Sequence, residues 1–341
     1  STFETLNFYL FSCRRNFLLE DNRLVNLANY LVGENDIGKS GFLRLLSFMA
    51  SAWTLPEIDY YDPKQPIRIT LALHLLEGEE EYFADAPDDH LQEIRVRLEM
   101  KVTDICPRLY NADTNEELPL EYIRRLRYVS YSAISRDDQA VRPQVYRALE
   151  KSLSQWEASH CTAVPPEEQR YIQHEVNVGY YDSSYYECIF YLSRILCRSN
   201  RHRADNLKFV SLAALRVITQ VYLMANSLVV PLEHNIIVDG QGRRYLPLII
   251  SIDEPEIHLH PYMQRSILQY YQQLLHNEDP QFCALLKDLF GLDGLRGQLF
   301  VVTHSTDSLI DDYRNILRLY RDSKGLVKAA CGSSLHVGRE I

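Results

Sequence analysis

Eight residues near the amino terminus carry the plainest chemistry in the chain: Gly33-Glu34-Asn35-Asp36-Ile37-Gly38-Lys39-Ser40. They fit the pattern G-x-x-x-x-G-K-[ST] at every fixed position. Glycines let backbone N–H groups turn inward around phosphate oxygens, and a following helix points the positive end of its dipole at the same anion. Lys39 is placed to reach the β- and γ-phosphates of a nucleotide, and the Ser40 hydroxyl to ligate Mg²⁺. Asn35, Asp36, Ile37 and Gly41 complete the loop and the first turn beyond it. The chemistry implied is the binding of ATP with Mg²⁺.

Two further groups suit the same chemistry. Leu248-Ile249-Ile250-Ser251-Ile252 is an apolar run ending in Asp253-Glu254. A buried strand that ends in carboxylates delivers them to the carboxyl edge of a sheet, where ligands bind. There Asp253 would hold Mg²⁺ and Glu254 would polarise an attacking water as general base. Val301-Val302-Thr303-His304-Ser305 repeats the arrangement with a histidine. A lone His is more often structural. Following two phosphate-chemistry elements in the expected order, His304 is read as a contact to the γ-phosphate and the attacking water.

The elements that must position these residues are legible in part. Val25 to Val32 reads as a strand running into the glycine turn, and residues 2–11 as another strand. Phe42, Leu45, Leu46 and Met49 then fall at helical spacing. Ile67, Ile69, Leu71 and Leu73 alternate with Arg68, Thr70 and Ala72; Ile94, Val96, Leu98 and Met100 do the same. The pair predicts a half-exposed antiparallel hairpin sheet. Tyr128 to Tyr131 is a short strand. Residues 138–205 read as mainly helical with loops, broken at Val164-Pro165-Pro166. Helices are predicted over Ser211–Leu228 and 262–276, buried strands over Leu246–Ile252 and Leu299–Val302, and one or two short strands in 316–337.

Composition narrows the class. With 341 residues, 46% of them hydrophobic, the chain has ample material for a large core. Lys and Arg total 36 against 46 Asp and Glu, so a net charge of -10 disfavours bulk binding of nucleic acid, though a local basic face stays open. Arg124, Arg125 and Arg127, and Arg198, Arg201, Arg203 and Lys208, are candidate phosphate contacts to DNA, with solvated or ion-paired faces the plainer reading. Seven cysteines occur singly without a CxxC pair, against a zinc or disulfide framework. Glu256, His258 and His260 invite a metal reading; helix-start packing and contact across an ATP-bound dimer are the favoured alternatives. No apolar run long enough for a membrane span and no signal peptide stand out, so a cytoplasmic protein is expected.

Taken together, Gly33–Ser40, the run Ile252-Asp253-Glu254-Pro255-Glu256-Ile257-His258-Leu259-His260-Pro261, and Val302-Thr303-His304-Ser305 resemble the ATPase domain of the OLD (overcoming lysogenization defect) family, which includes the ATPase–nuclease subunit of the Gabija anti-phage system. The resemblance covers residues 2 to about 320. It implies an α/β P-loop NTPase: an ABC-ATPase head with a mixed sheet, an antiparallel side sheet and a helical lobe, forming an ATP-dependent homodimer or higher oligomer. The corresponding division is an N-terminal ATPase lobe over 1–135, a helical lobe over 136–240 and a C-terminal ATPase lobe over 241–341. Arg15, in Cys13-Arg14-Arg15-Asn16-Phe17, matches a family element near the nucleotide loosely, and the resemblance implies for Gln139 the Q-loop role of sensing Mg²⁺ and the attacking water. Two departures stand out. The Ser/Gly-rich signature of ABC heads is replaced by Arg203-Ala204-Asp205-Asn206-Leu207-Lys208-Phe209, without glycine. Nothing resembling the family's Toprim nuclease domain follows residue 320, so the expected partner is a nuclease or toxin effector subunit, as in Septu- or PARIS-like defence systems, or that missing domain. The resulting expectation is an ATP-hydrolysing, defence-related switch. The alternatives are a non-hydrolysing ATP-bound scaffold and a RecF-like DNA-repair ATPase.

Overall fold

The apolar run from Leu246 to Ile252 forms the middle of the strand Arg244–Asp253, in which every residue but the first and last is buried. A strand without an exposed face must be covered on both sides, and that requirement organises the fold. The computed structural model describes residues 9–10, 17–18, 28–35, 37–50, 55, 57, 60, 62–74, 93–120, 127–132, 141–161, 170, 183–197, 207–227, 232–256, 260–305, 315–323, 325 and 327–332. Through the first half, the elements are β1 (Tyr9–Leu10), β2 (Phe17–Leu18), β3 (Ala28–Gly33), α1 (Lys39–Ala50), β4 (Ile67–His74), β5 (Glu93–Met100), β6 (Arg108–Asn111), β7 (Glu117–Leu118) and β8 (Arg127–Ser132). They continue with α2 (Pro143–His160), α3 (Ser183–Leu196), α4 (Leu207–Ala225), β9 (Ile237–Val238), β10 (Arg244–Asp253), α5 (Pro261–Leu275), α6 (Pro280–Phe290), β11 (Gly294–Val302), β12 (Ile316–Arg321) and β13 (Val327–Cys331).

Among the described residues the strands make a nine-stranded sheet, ordered β1-β2-β13-β12-β3-β11-β10-β8 with β9 on β10, and a four-stranded sheet, β4-β5-β6-β7. Strands β12, β3, β11, β10 and β8 run parallel; β13 turns back antiparallel to β12. β11, though it follows β10 in the chain, inserts between β10 and β3.

Strand period sorts the side chains into two cores. Leu246, Leu248, Ile250 and Ile252 of β10, Leu299 and Val301 of β11, and Tyr30 of β3 join the helical layer α2–α6. Ile249, Phe300, Val302, Leu31, Leu317 and Leu319 point the other way, onto α1 and the inner face of the four-stranded sheet. The outer face of that sheet carries Arg68 and Arg97, both paired with Glu99 at 3.1 and 2.7 Å. The predicted hairpin is thus β4–β5, in the register Ile67↔Met100; β6 and β7 extend it beyond the expected two strands.

Helix boundaries follow local chemistry. α2 starts with Pro143 at its first turn and buries Tyr146, Leu149, Leu153 and Trp156 at three- and four-residue spacing. α4 begins at Leu207, earlier than predicted. It is also long and apolar enough by composition to cross a bilayer, contrary to expectation; 61% of its most apolar window is buried inside the protein, as in a core helix. α6 was not anticipated. Its start is capped by Asp279, whose side chain accepts from the Gln281 and Phe282 N–H groups, and Gly291 ends it at φ 68. Between α5 and α6, Asn277 mimics a strand edge: its amide donates to the Leu295 carbonyl at 2.9 Å and accepts from the Leu295 N–H at 2.7 Å.

β11 and β10 approach so closely that a Cβ on Gly297 would lie 1.7 Å from the Leu248 carbonyl oxygen. Gly297→Ala is expected to destabilise the protein at the top of the ~1–3 kcal/mol range for overpacking or beyond it. Thermal unfolding checks this; a melting temperature equal to wild type would show that the strands can separate there at no cost.

Candidate functional site

Because β3, β11 and β10 are parallel neighbours, their carboxyl ends open on one edge. Backbone pairing continues just past the strands: Thr303 N–H donates to Leu31 O at 3.2 Å, and Glu254 N–H to Val302 O at 2.8 Å. The segments after Gly33, Asp253 and Val302 are therefore held side by side, at the kind of edge where open α/β sheets bind ligands.

The loop from Gly33 to Lys39 is shaped by its glycines. A Cβ on Gly33 would sit 2.6 Å from the Leu319 carbonyl oxygen, and Gly38 adopts φ 105, which favours glycine. Ile37 is buried in the core beneath α1, so its side chain anchors the loop and only its backbone faces a ligand. Asn35 and Gly41 are exposed. Lys39 is 5% exposed and folds across its own loop, donating to Gly33 O at 2.9 Å and Glu34 O at 2.8 Å. α1 starts at this residue, with its N-terminus at the loop.

Ser40 and Asp253, distant in sequence, meet with Ser40 Oγ donating to Asp253 Oδ1 at 3.3 Å. Burial raises the Asp253 pKa, the Ser40 hydrogen bond opposes this, and the charges of Glu254 and Glu256 push it further up while Lys39 pulls it down. Among the described residues no three Asp, Glu, His or Cys side chains converge on a metal position. A hydroxyl and a carboxylate do fit Mg²⁺, which keeps several waters and takes one or two protein oxygens beside substrate phosphates.

Glu254 turns the chain at φ 50, a left-handed conformation that costs a non-glycine residue about 1–3 kcal/mol. Its Oε1 lies 3.6 Å from His304 Nε2, and both side chains are about one-third exposed, open to a ligand at the edge. Glu256 faces the other way: its Oε2 accepts from Thr303 Oγ1 at 2.8 Å and its Oε1 from the His304 N–H at 2.6 Å. Sequence reasoning read Glu256 with His258 and His260 and quoted Thr303 beside His304, but did not foresee that Glu256 joins Thr303 and His304.

Of the predicted residues, Gly33, Asn35, Ile37, Gly38, Lys39, Ser40, Gly41, Asp253, Glu254 and His304 all lie on or beside this edge. Arg15, Asp36, Gln139 and His258 lie outside the described residues, as do Arg124, Arg125, Arg198, Arg201, Arg203 and the Val164–Pro166 break. Lys208 sits in the first turn of α4. His260 caps α5, its ring Nδ1 accepting from the Tyr262 N–H at 3.3 Å, which is the helix-start reading.

The family model described as "AAA domain, putative AbiEii toxin, Type IV TA system" matches residues 236–311, the stretch that holds β10, Asp253, Glu254 and His304. No curated protein matches the chain. Among solved structures, Stu0660 of Streptococcus thermophilus is 10% identical, with 86% of this chain and 69% of that one covered, at a TM-score of 0.27. That likeness is too loose to bear on fold or function. The fold is an α/β P-loop NTPase fold with a curled mixed sheet, and the family match points to a P-loop ATPase of AAA/ABC type.

Asp253 supplies a pH test. Its folded-state pKa is raised, so its contribution to stability is present below the ordinary carboxylate range and is lost as pH rises through the raised value. Asp253→Asn is therefore expected to melt above wild type near neutral pH in the absence of metal, with the difference closing as pH falls through that window. A difference independent of pH would reject burial as the dominant cause.

Proposed function

We propose that this chain binds and hydrolyses ATP with Mg²⁺ and uses the nucleotide state to control an associated effector. The observation that carries the proposal is the meeting of two pairs, Ser40 with Asp253 and Glu254 with His304, at the joined ends of three parallel strands. In this reading the backbone of Gly33 to Gly38 and the α1 N-terminus cradle the phosphates, and Lys39 leaves its loop carbonyls for phosphate oxygens. Ser40 and Asp253 would hold Mg²⁺, which would supply positive charge against the phosphates. Glu254 orients and deprotonates water, while His304 steadies Glu254 and faces the γ-phosphate.

The biological setting rests on different support. Gly33–Ser40, Ile252–Pro261 and Val302–Ser305 together resemble OLD-type defence ATPases, and the description of the matching family names a toxin system. Both are consistent with an ATPase that restrains or licenses a nuclease or toxin in anti-phage defence, as an ATP-dependent oligomer. Arg203 to Phe209 lacks the glycine of an ABC signature, which favours slow turnover or a requirement for the effector subunit.

Hydrolysis is tested first. Lys39→Ala is expected to lose ATP binding. Glu254→Gln is expected to bind ATP yet hydrolyse it more slowly by on the order of 10²–10⁴-fold, the range for loss of a general base. Phosphate release and fluorescent-nucleotide titration measure the two effects. If wild type binds ATP but neither the chain alone nor its complex with the effector turns it over, the scaffold reading replaces this one. For the wider role, the measurements are copurification of an effector from the native operon and phage protection lost in Glu254→Gln; DNA-stimulated, salt-sensitive hydrolysis without an effector would favour repair instead.

A further inference from the structure

Glu256 has no part in the scheme above, yet both of its carboxylate oxygens are engaged, and both on the segment that ends in His304. Oε2 takes the Thr303 hydroxyl at 2.8 Å and Oε1 takes the His304 backbone N–H at 2.6 Å. Thr303 is fully buried, and its own N–H is tied to Leu31 O at 3.2 Å on β3. Position 303 is thus fixed to the strand that carries the phosphate-binding loop. One residue later that backbone tie has given way to Glu256. The carboxylate reaches back from just beyond the left-handed turn at Glu254, so the segment that presents Glu254 also supplies the clamp on its partner.

We infer that Glu256 is a positioning residue for His304, setting the backbone from which the imidazole meets Glu254 through two hydrogen bonds to Thr303 and His304. The inference rests on the proposed ATPase reading for its consequence in turnover, while the positioning itself is independent of it. With its N–H held, His304 starts from a fixed backbone position, and its Nε2 lies 3.6 Å from Glu254 Oε1. Released, the backbone after Thr303 gains freedom and the imidazole drifts from the reacting position. Misplacement of about 1 Å is enough to cost on the order of 10²-fold in rate. A plain structural tie between two loops would instead lower nucleotide affinity, stability and turnover together.

Conservative variants separate the possibilities. Glu256→Gln keeps the length and an oxygen acceptor for the His304 N–H, and its amide can donate to Thr303 Oγ1. Glu256→Asp keeps the charge but falls short of both partners. The expected result is that Glu256→Gln retains most of the wild-type kcat, while Glu256→Asp and Glu256→Ala lose on the order of 10²-fold with ATP affinity unchanged. The second readout needs no hydrolysis: the NMR signals of the His304 imidazole in the nucleotide-free chain, assigned by their loss in His304→Gln. They should shift and broaden in Glu256→Asp and Glu256→Ala and coincide with wild type in Glu256→Gln. Identical His304 signals in all four proteins would overturn the inference, as would a Glu256→Gln enzyme as impaired as Glu256→Asp. A wild type that hydrolyses no ATP would remove the ATPase reading and leave the NMR comparison to decide the positioning.

Discussion

The close approach of β11 to β10 at Gly297 is the constraint on which the site depends. With a Cβ there only 1.7 Å from the Leu248 oxygen, any side chain at that point would lever the strands apart. Without one, β11 lies between β3 and β10 with its last residue, Val302, level with Asp253 and Leu31, and β3 runs two residues further to Gly33. That alignment lets the ladder run on through Thr303 and Glu254. Each segment beyond the strands then starts from a backbone position fixed by its neighbour, so short side chains such as Ser40 and Asp253 can meet across more than two hundred residues of sequence.

Three acids within four positions are given three environments by backbone geometry alone. Asp253 still belongs to the strand and lies against Ser40. Glu254 is turned by its positive φ toward His304. Glu256 is carried past Pro255 and back beneath the β11 exit. Burial raises the Asp253 pKa first, and repulsion from the charges of Glu254 and Glu256 adds to it. A cation at Ser40 and Asp253 relieves that repulsion, so the site is electrostatically prepared for positive charge before any arrives.

How much of this was written in the sequence depends on range. The phosphate-binding loop was legible because the needs of Gly33, Gly38 and Lys39 are local. β10 was legible because an apolar run without a polar face has few alternatives. The insertion of β11 between β3 and β10 was not, since strand order is set by packing between distant segments. The role of Glu256 was hidden for the same reason: it was read with His258 and His260, but its partners lie 47 and 48 residues away. β6 and β7 are too short to show a period. α6 is a different matter, because Asp279-Pro280 and Gly291 are ordinary start and stop signals that sequence alone offers.

Helix α5 closes a mechanical circuit. It starts at its cap His260, four residues after Glu256 in the chain, runs about 22 Å at ~1.5 Å per residue, and ends near Asn277, whose amide pairs with Leu295 at the start of β11. β11 then returns to the same edge and delivers His304 to Glu256. Rod, clasp, strand and carboxylate form a ring without a free end. A change at the far end of α5 thus reaches His304 through Asn277 and β11, a route separate from the ladder that ties β11 to β3.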